Sequence, residues 1–213
     1  MGINELDLAV LTRLDGFTSV TAVCDLGDQD YICWEEEKFR AFNFPANVPI
    51  KGKSSEFWKA LGMRHISLDL VGDSYRFDLN TQSVPFWWRK FDLVTNCGNS
   101  EHVMDQFNCF KVIHDLTKVG GIMYHQLPVA GFATHGFWRY NPLFFRALMN
   151  ANGYELLANV LLTADRTNDG DPGPDVPHNL DRWRAQYRAP DAIVRIAFRK
   201  KKSDRFRPAL DVP

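Results

Sequence analysis

Several polar residues fall where apolar runs end. Asp25 closes "VTAVCDLG", Asp69 closes "RHISLDL", Asp78 lies in "YRFDLN" and Asn96 closes "FDLVTN", with Gly27 and Gly98 just beyond the first and last. A carboxylate at a strand end can accept both hydroxyls of a ribose, and a second, such as Asp78, can take the exocyclic amine of an adenine. Glycine lets the backbone approach a ligand closely. Singly, each of these Asp residues is as well explained by a capped turn; as a row along successive strand ends they suit a nucleoside. Three histidines, His102, His125 and His135, lie near the same ends and bring imidazoles able to act as general bases. Each serves equally well as a core or capping residue. The three show no recognised ligand spacing, so no metal is expected. Glu101 sits at a helix start, where it gains from the helix dipole, and reads as a stabiliser. The stretch "PVAGFATHGFWRYNP", 128–142, combines apolar walls with a few polar groups, as small-molecule pockets do. It makes Phe132, Trp138, Tyr140 and Asn141 the candidates for substrate binding, with His125 beside them, and His135 and His102 the candidates for catalysis.

These residues need a sheet whose carboxyl ends line up. Apolar spacing predicts an N-terminal helix within 1–17, spanning 3–15, then a buried strand at 20–27. Residues 31–53 mix a helical "WEEEKFRAF" with a Pro/Gly/Ser-rich loop. Ser55 caps a helix at 56–62 closed by Gly62. Strands follow at 64–70, 75–80 and 91–96, then a long helix over 101–118 capped by Asn99 or Ser100. "GIMYHQL" is the fifth strand, Asn141-Pro142 opens another helix, and "ANGYELL" leads into a sixth strand. Residues 167–179 read as loop, and "AIVRIAFRK" alternates as a last, edge-like strand. Alternating strands and helices predict an α/β, Rossmann-like doubly wound sheet of seven strands, mostly parallel with one antiparallel strand near the C-terminus. The whole of 1–213 reads as a single domain, ending in a basic tail at 200–213.

The totals exclude several classes. The chain has 213 residues, a formal net charge of −1, 45% hydrophobic and 24% charged residues. This is an ordinary globular balance with no global field to recruit nucleic acid or an anionic membrane. Four cysteines without a C-x-x-C pair suggest a reduced, cytoplasmic protein. No apolar run approaches the ~20 residues of a membrane helix, and the acidic "MGINELDLAV" is a poor signal peptide.

The chain resembles the class I S-adenosylmethionine-dependent methyltransferases over roughly residues 18–199. "VCDLGDQD" resembles their first motif, "FDLVTNCGNSEHV" the fourth-strand motif and "LTKVGGIMYH" the helix–GG–strand that follows. The resemblance implies S-adenosyl-L-methionine as cofactor, with Asp25 and Gly27 beside its methionine part. It further implies Asp69 on the ribose, Asp78 near the adenine, and Asn96 and Gly98 on the methyl-transfer face. The usual first motif is glycine-rich, but here Asp28, Gln29 and Asp30 follow Gly27. Acidic residues there would repel a phosphate, which disfavours a dinucleotide, whereas the cofactor's sulfonium and ammonium tolerate them. Asp69 lies 42 positions after Gly27, against about 20 in dinucleotide folds, so 31–53 read as an insertion and a substrate cover. The Asn/Asp-Pro-Pro-aromatic turn of enzymes methylating DNA amines or protein glutamine amides is replaced by "NCGN". The expected activity is methyl transfer to an oxygen, nitrogen or carbon of a small molecule, without nucleic-acid or membrane partners; a homodimer stays open. The alternative is a catalytically inactive relative acting as a binding or partner subunit. A nicotinamide-dependent oxidoreductase fits poorly without G-x-G-x-x-G.

Overall fold

A computed structural model of the chain describes residues 2–72, 74–88, 91–132, 135–163 and 191–210; the loop expected at 167–179 lies outside them. The chain opens with a two-residue strand, β1 (Ile3–Asn4), before the expected helix, α1 (Glu5–Leu11). Asn4 caps α1 and Asp7 returns a carboxylate to the Asn4 N–H at 2.8 Å, a reciprocal capping box. β2 (Ala22–Leu26) is buried throughout. The chain then enters β3 (Asp30–Ile32), α2 (Glu36–Arg40) and β4 (Lys51–Lys53), so residues 31–53 are structured. β1, β3 and β4 form a small separate sheet. The ring of its Tyr31 lies 4.4 Å from that of Phe57 in α3 (Ser54–Ala60), tilted by 30°, and Phe39 joins the same buried cluster.

β5 (Arg64–Asp69), β6 (Tyr75–Arg76) and β7 (Phe91–Cys97) follow, then α4 (Gln106–Leu116), β8 (Thr117–Ala130), α5 (Pro142–Asn152), β9 (Glu155–Thr163) and β10 (Ala192–Arg199). The main sheet has seven strands in the order β6-β5-β2-β7-β8-β10-β9, with β10 antiparallel to both neighbours and the others parallel. The alternating last strand therefore lies inside the sheet rather than at its edge. Alternation along the strands sends successive residues to opposite faces. Val23, Leu93 and Tyr124 pack with α1 and α3, whereas Cys24, Val94 and Met123 pack with α4 and α5.

Two local outcomes differ from the pattern reading. The helix expected at 101–118 starts only at Gln106, capped by Asp105, whose carboxylate accepts the Asn108 N–H at 2.8 Å. Residues Ser100–His102 form a separate 3-10 turn. Side chains enforce the break: Asn96 accepts the Ser100 N–H at 3.1 Å, and Asn80 Oδ1 accepts the N–H groups of Met104 and Asp105. The basic tail also begins inside the fold. Lys200 is buried, and its ammonium donates to the carbonyls of His114 and Thr117 at 2.6 and 3.0 Å, neutralising the end of α4. Among the described residues, no helix is long and apolar enough to cross a membrane.

Candidate functional site at the strand ends

Strand order reverses at β2, which has β5 on one side and β7 on the other. In open α/β sheets this is where a crevice opens beyond the carboxyl ends. Gly27 leaves β2 with φ 87°, in the left-handed region that glycine adopts freely, and its N–H donates to Leu68 O at 2.8 Å. A Cβ here would lie 2.5 Å from Asn99 Nδ2, so the β2 loop and the turn after β7 touch at this point. Asn99 Oδ1 is buried without a hydrogen-bond partner. Asp69 reaches over from β5: one oxygen accepts the Asp28 N–H at 2.7 Å, the other those of Leu70 and Val71 at 2.6 and 3.3 Å. Gly98, also at positive φ, donates to Gln126 O at 2.9 Å and ties the end of β7 to β8.

The bulky residues after Gly27 have structural work. Gln29 folds inward and donates to Leu26 O at 2.7 Å. Asp28 and Asp30 both face the Lys53 ammonium, at 3.4 and 3.0 Å, which ties the loop to β4.

Four expected site residues, Asp25, Asp78, Asn96 and His125, make contacts within the fold. Asp25 points to the α3 face and is fully buried. It accepts hydrogen bonds from Ser54 Oγ at 2.6 Å, Trp58 Nε1 at 3.1 Å and Thr95 Oγ1 at 2.5 Å, and lies 2.9 Å from His65 Nε2. It fastens α3, β5 and β7 to β2. Asp78 binds its own turn, accepting from Asn80 N, Asn80 Nδ2 and Thr81 Oγ1, and these hydrogen bonds hold its carboxyl below the usual range. His125 belongs to the core. It lies among Phe110, Phe145 and Phe198, with Nδ1 3.3 Å from Asn96 Nδ2, and burial pulls its pKa down to about 3. Asn96 is itself buried and locks the 3-10 turn below the rim.

The loop after β8 closes onto that turn. The N–H groups of Phe137 and Trp138 donate to Glu101 O at 2.7 and 3.2 Å, and Trp138 Nε1 donates to Val103 O at 2.8 Å. A Cβ on Gly136 (φ 68°) would stand 2.8 Å from Glu101 Cγ, so only glycine passes there without displacement. Tyr140 is buried, its hydroxyl held between Ser100 Oγ and Gln106 Oε1, and Asn141 caps α5 by accepting the Leu143 N–H. Both shape the loop from below. Phe132, Phe137 and Trp138 stay at least partly exposed.

This closure brings together Glu101, His102 and His135, away from the start of α4 and its dipole. Glu101 is fully buried, yet neither carboxylate oxygen has a hydrogen-bond partner. His135 Nε2 stands 3.5 Å from Glu101 Oε1, also without one. The His102 ring meets that of His135 edge to face at 4.7 Å. The adjacency of Glu101 and His102 was visible in sequence; the burial was not, because it depends on the returning loop.

No protein-family model matches the chain, and no curated protein matches it. Solved structures do. "StiE O-MT residues 961-1257" superposes with a TM-score of 0.55 at 12% identity, covering 94% of this chain and 75% of that one. A protein solved in complex with the Haloferax volcanii Trm112 methyltransferase activator gives 0.52 at 14%, covering 93% and 90%. Haemonchus contortus phosphoethanolamine N-methyltransferase 2 with S-adenosyl-L-methionine gives 0.53 at 13%, covering 92% and 52%. The fold is that of the class I S-adenosylmethionine-dependent methyltransferases.

Proposed function

We propose that the protein transfers a methyl group from S-adenosyl-L-methionine to an oxygen, nitrogen or carbon of a small molecule. The observation that carries this is the meeting of Gly27, Asp69 and Asn99 at the switch point, beside a separate polar cluster under the β8 loop. Gly27 and Gly98 leave room for the cofactor, and Asp69 has lone pairs left for ribose hydroxyls. Asn99, with its unpartnered oxygen, is a polar contact for the cofactor's ammonium. The acceptor enters between this crevice and the exposed Phe137 and Trp138. Its lone pair attacks the methyl carbon, the carbon–sulfur bond breaks, and the electron pair stays on sulfur as a neutral thioether. The methyl is already activated, so in-line positioning supplies much of the acceleration. Where the acceptor carries a proton, His135 or His102 is placed to receive it.

Calorimetry with S-adenosylhomocysteine tests the reading. Binding in the micromolar range is expected; none at about 1 mM ligand, a free energy near −4 kcal/mol, overturns it. That negative result would favour the second reading, a non-catalytic partner subunit, whose motive is the Asp28-Gln29-Asp30 sequence engaged with Lys53 and Leu26.

A further inference from the structure

We infer that Glu101, His102 and His135 bind a divalent first-row transition-metal ion. A bare carboxylate buried away from water is expensive unless something cationic meets it. Glu101 is fully buried with both oxygens unpartnered, and no lysine or arginine pairs with it among the described residues. What faces it is imidazole: His135 Nε2, 3.5 Å away and too far for a good hydrogen bond. One donor atom from each of Glu101, His102 and His135 lies within 4.8 Å of the others. Donors sharing one ion at ~2.1 Å stand about 3–4 Å apart, so a small rotation of the exposed His102 closes the set.

The donor chemistry selects the ion. Two imidazoles and one carboxylate suit zinc, iron or cobalt, whereas magnesium and calcium prefer all-oxygen cages. The four cysteines are all buried and are no rival ligands. The trio supplies three ligands and leaves positions free, as catalytic sites do and closed structural sites do not.

The site stands on its own geometry; what the ion does there rests on the methyl-transfer reading. An acceptor oxygen or nitrogen takes a free position, and the ion's charge favours loss of its proton to water. The acceptor then forms its bond to the methyl carbon as the carbon–sulfur bond breaks. With the ion bound, His102 and His135 are ligands, and the ion replaces them in activating the acceptor.

Cobalt(II) tests this without an activity assay. Purified chain stripped with a chelator is titrated with Co2+ and its visible absorption recorded, then Zn2+ or Mg2+ is added. One Co2+ per chain is expected, displaced by Zn2+ and not by Mg2+. His102→Ala, His135→Ala and Glu101→Gln should each weaken binding by roughly a hundredfold or more, since even residues behind a ligand are worth 10–100-fold. His102 is exposed, so its variant tests the site without a folding penalty, checked by circular dichroism. No saturable band, or unchanged affinity in folded His102→Ala and His135→Ala, overturns the inference. S-adenosylhomocysteine calorimetry on the same stripped protein separates the two readings. Cofactor binding without metal sinks only the metal site, and metal without cofactor sinks only methyl transfer.

Discussion

The Asp69 carboxylate accepts the backbone N–H of Asp28 at 2.7 Å, so the residue that ends β5 also holds the loop that ends β2. One side chain thereby fixes the two edges between which a nucleoside would lie. It is only partly buried, unlike Asp25, and its loss leaves no large buried void.

Replacing Asp69 by alanine should therefore cost cofactor affinity while leaving the fold intact. We expect S-adenosylhomocysteine to bind at least about tenfold more weakly, or ~1.4 kcal/mol, with a melting temperature close to that of the parent. Unchanged affinity in calorimetry would remove Asp69 from the ribose site.

Asp25→Ala should behave in the opposite way. Ser54, Trp58 and Thr95 would lose the acceptor they share in the core. Orphaned buried donors cost ~1–3 kcal/mol each, so a loss of about 3 kcal/mol or more is expected in urea unfolding. A stable Asp25→Ala protein that merely lost ligand would show that the carboxylate faces the crevice after all.

Gly27→Ala tests the contact between the two loops. The left-handed backbone costs an alanine about 1–2 kcal/mol, and its Cβ would push Asn99 from the rim. Moderate destabilisation with a clear drop in S-adenosylhomocysteine affinity is the expected pair of results. A drop in stability alone would mean that Gly27 serves only the turn.

His125 gives the fold a pH signature. Its pKa is lowered from 6.5 to about 3 by burial, so the unfolded chain takes up a proton below 6.5 that the folded chain refuses. Stability from this group is complete above 6.5 and falls, by up to ~1.4 kcal/mol per pH unit, as pH drops toward 3. Between pH 5 and 6.5 the slope of unfolding free energy should be shallower in His125→Leu than in the parent. Equal slopes would place a solvated imidazole at this position.

His135→Ala is expected to lower turnover by about a hundredfold or more, the scale of a lost base or activator, while S-adenosylhomocysteine affinity holds. Equal losses in both would make His135 a support of the loop rather than part of the reacting centre. A panel of small hydroxyl, amine and carboxylate acceptors, followed by thioether formation, supplies the measurement.

Legibility followed range along the chain. The seven strands of the main sheet, the turn at Gly27, the cap at Asn141 and the stop at Gly62 are local events, each written in a few neighbouring residues. The late start of α4 was not, since Asn80 must arrive from a separate turn to hold Met104 and Asp105. The inside position of β10 was hidden for a similar reason: its alternation suited an edge, but strand order is set by pairing with both β8 and β9.

By itself the amino-acid order determined that polar groups would gather where the strands stop, because each apolar run gives way there to Asp, Asn and Gly. Which of those groups the fold buries and which it leaves at the rim was decided only in three dimensions. Asp25 and Leu26 are neighbours in sequence, yet the pleat sends them to opposite faces, and α3 claims the carboxylate. Glu101 is a buried carboxyl without a hydrogen-bond partner, beside two imidazoles, only because Gly136 lets the β8 loop close over it. That closure is a long-range packing event, and no local pattern encodes its outcome.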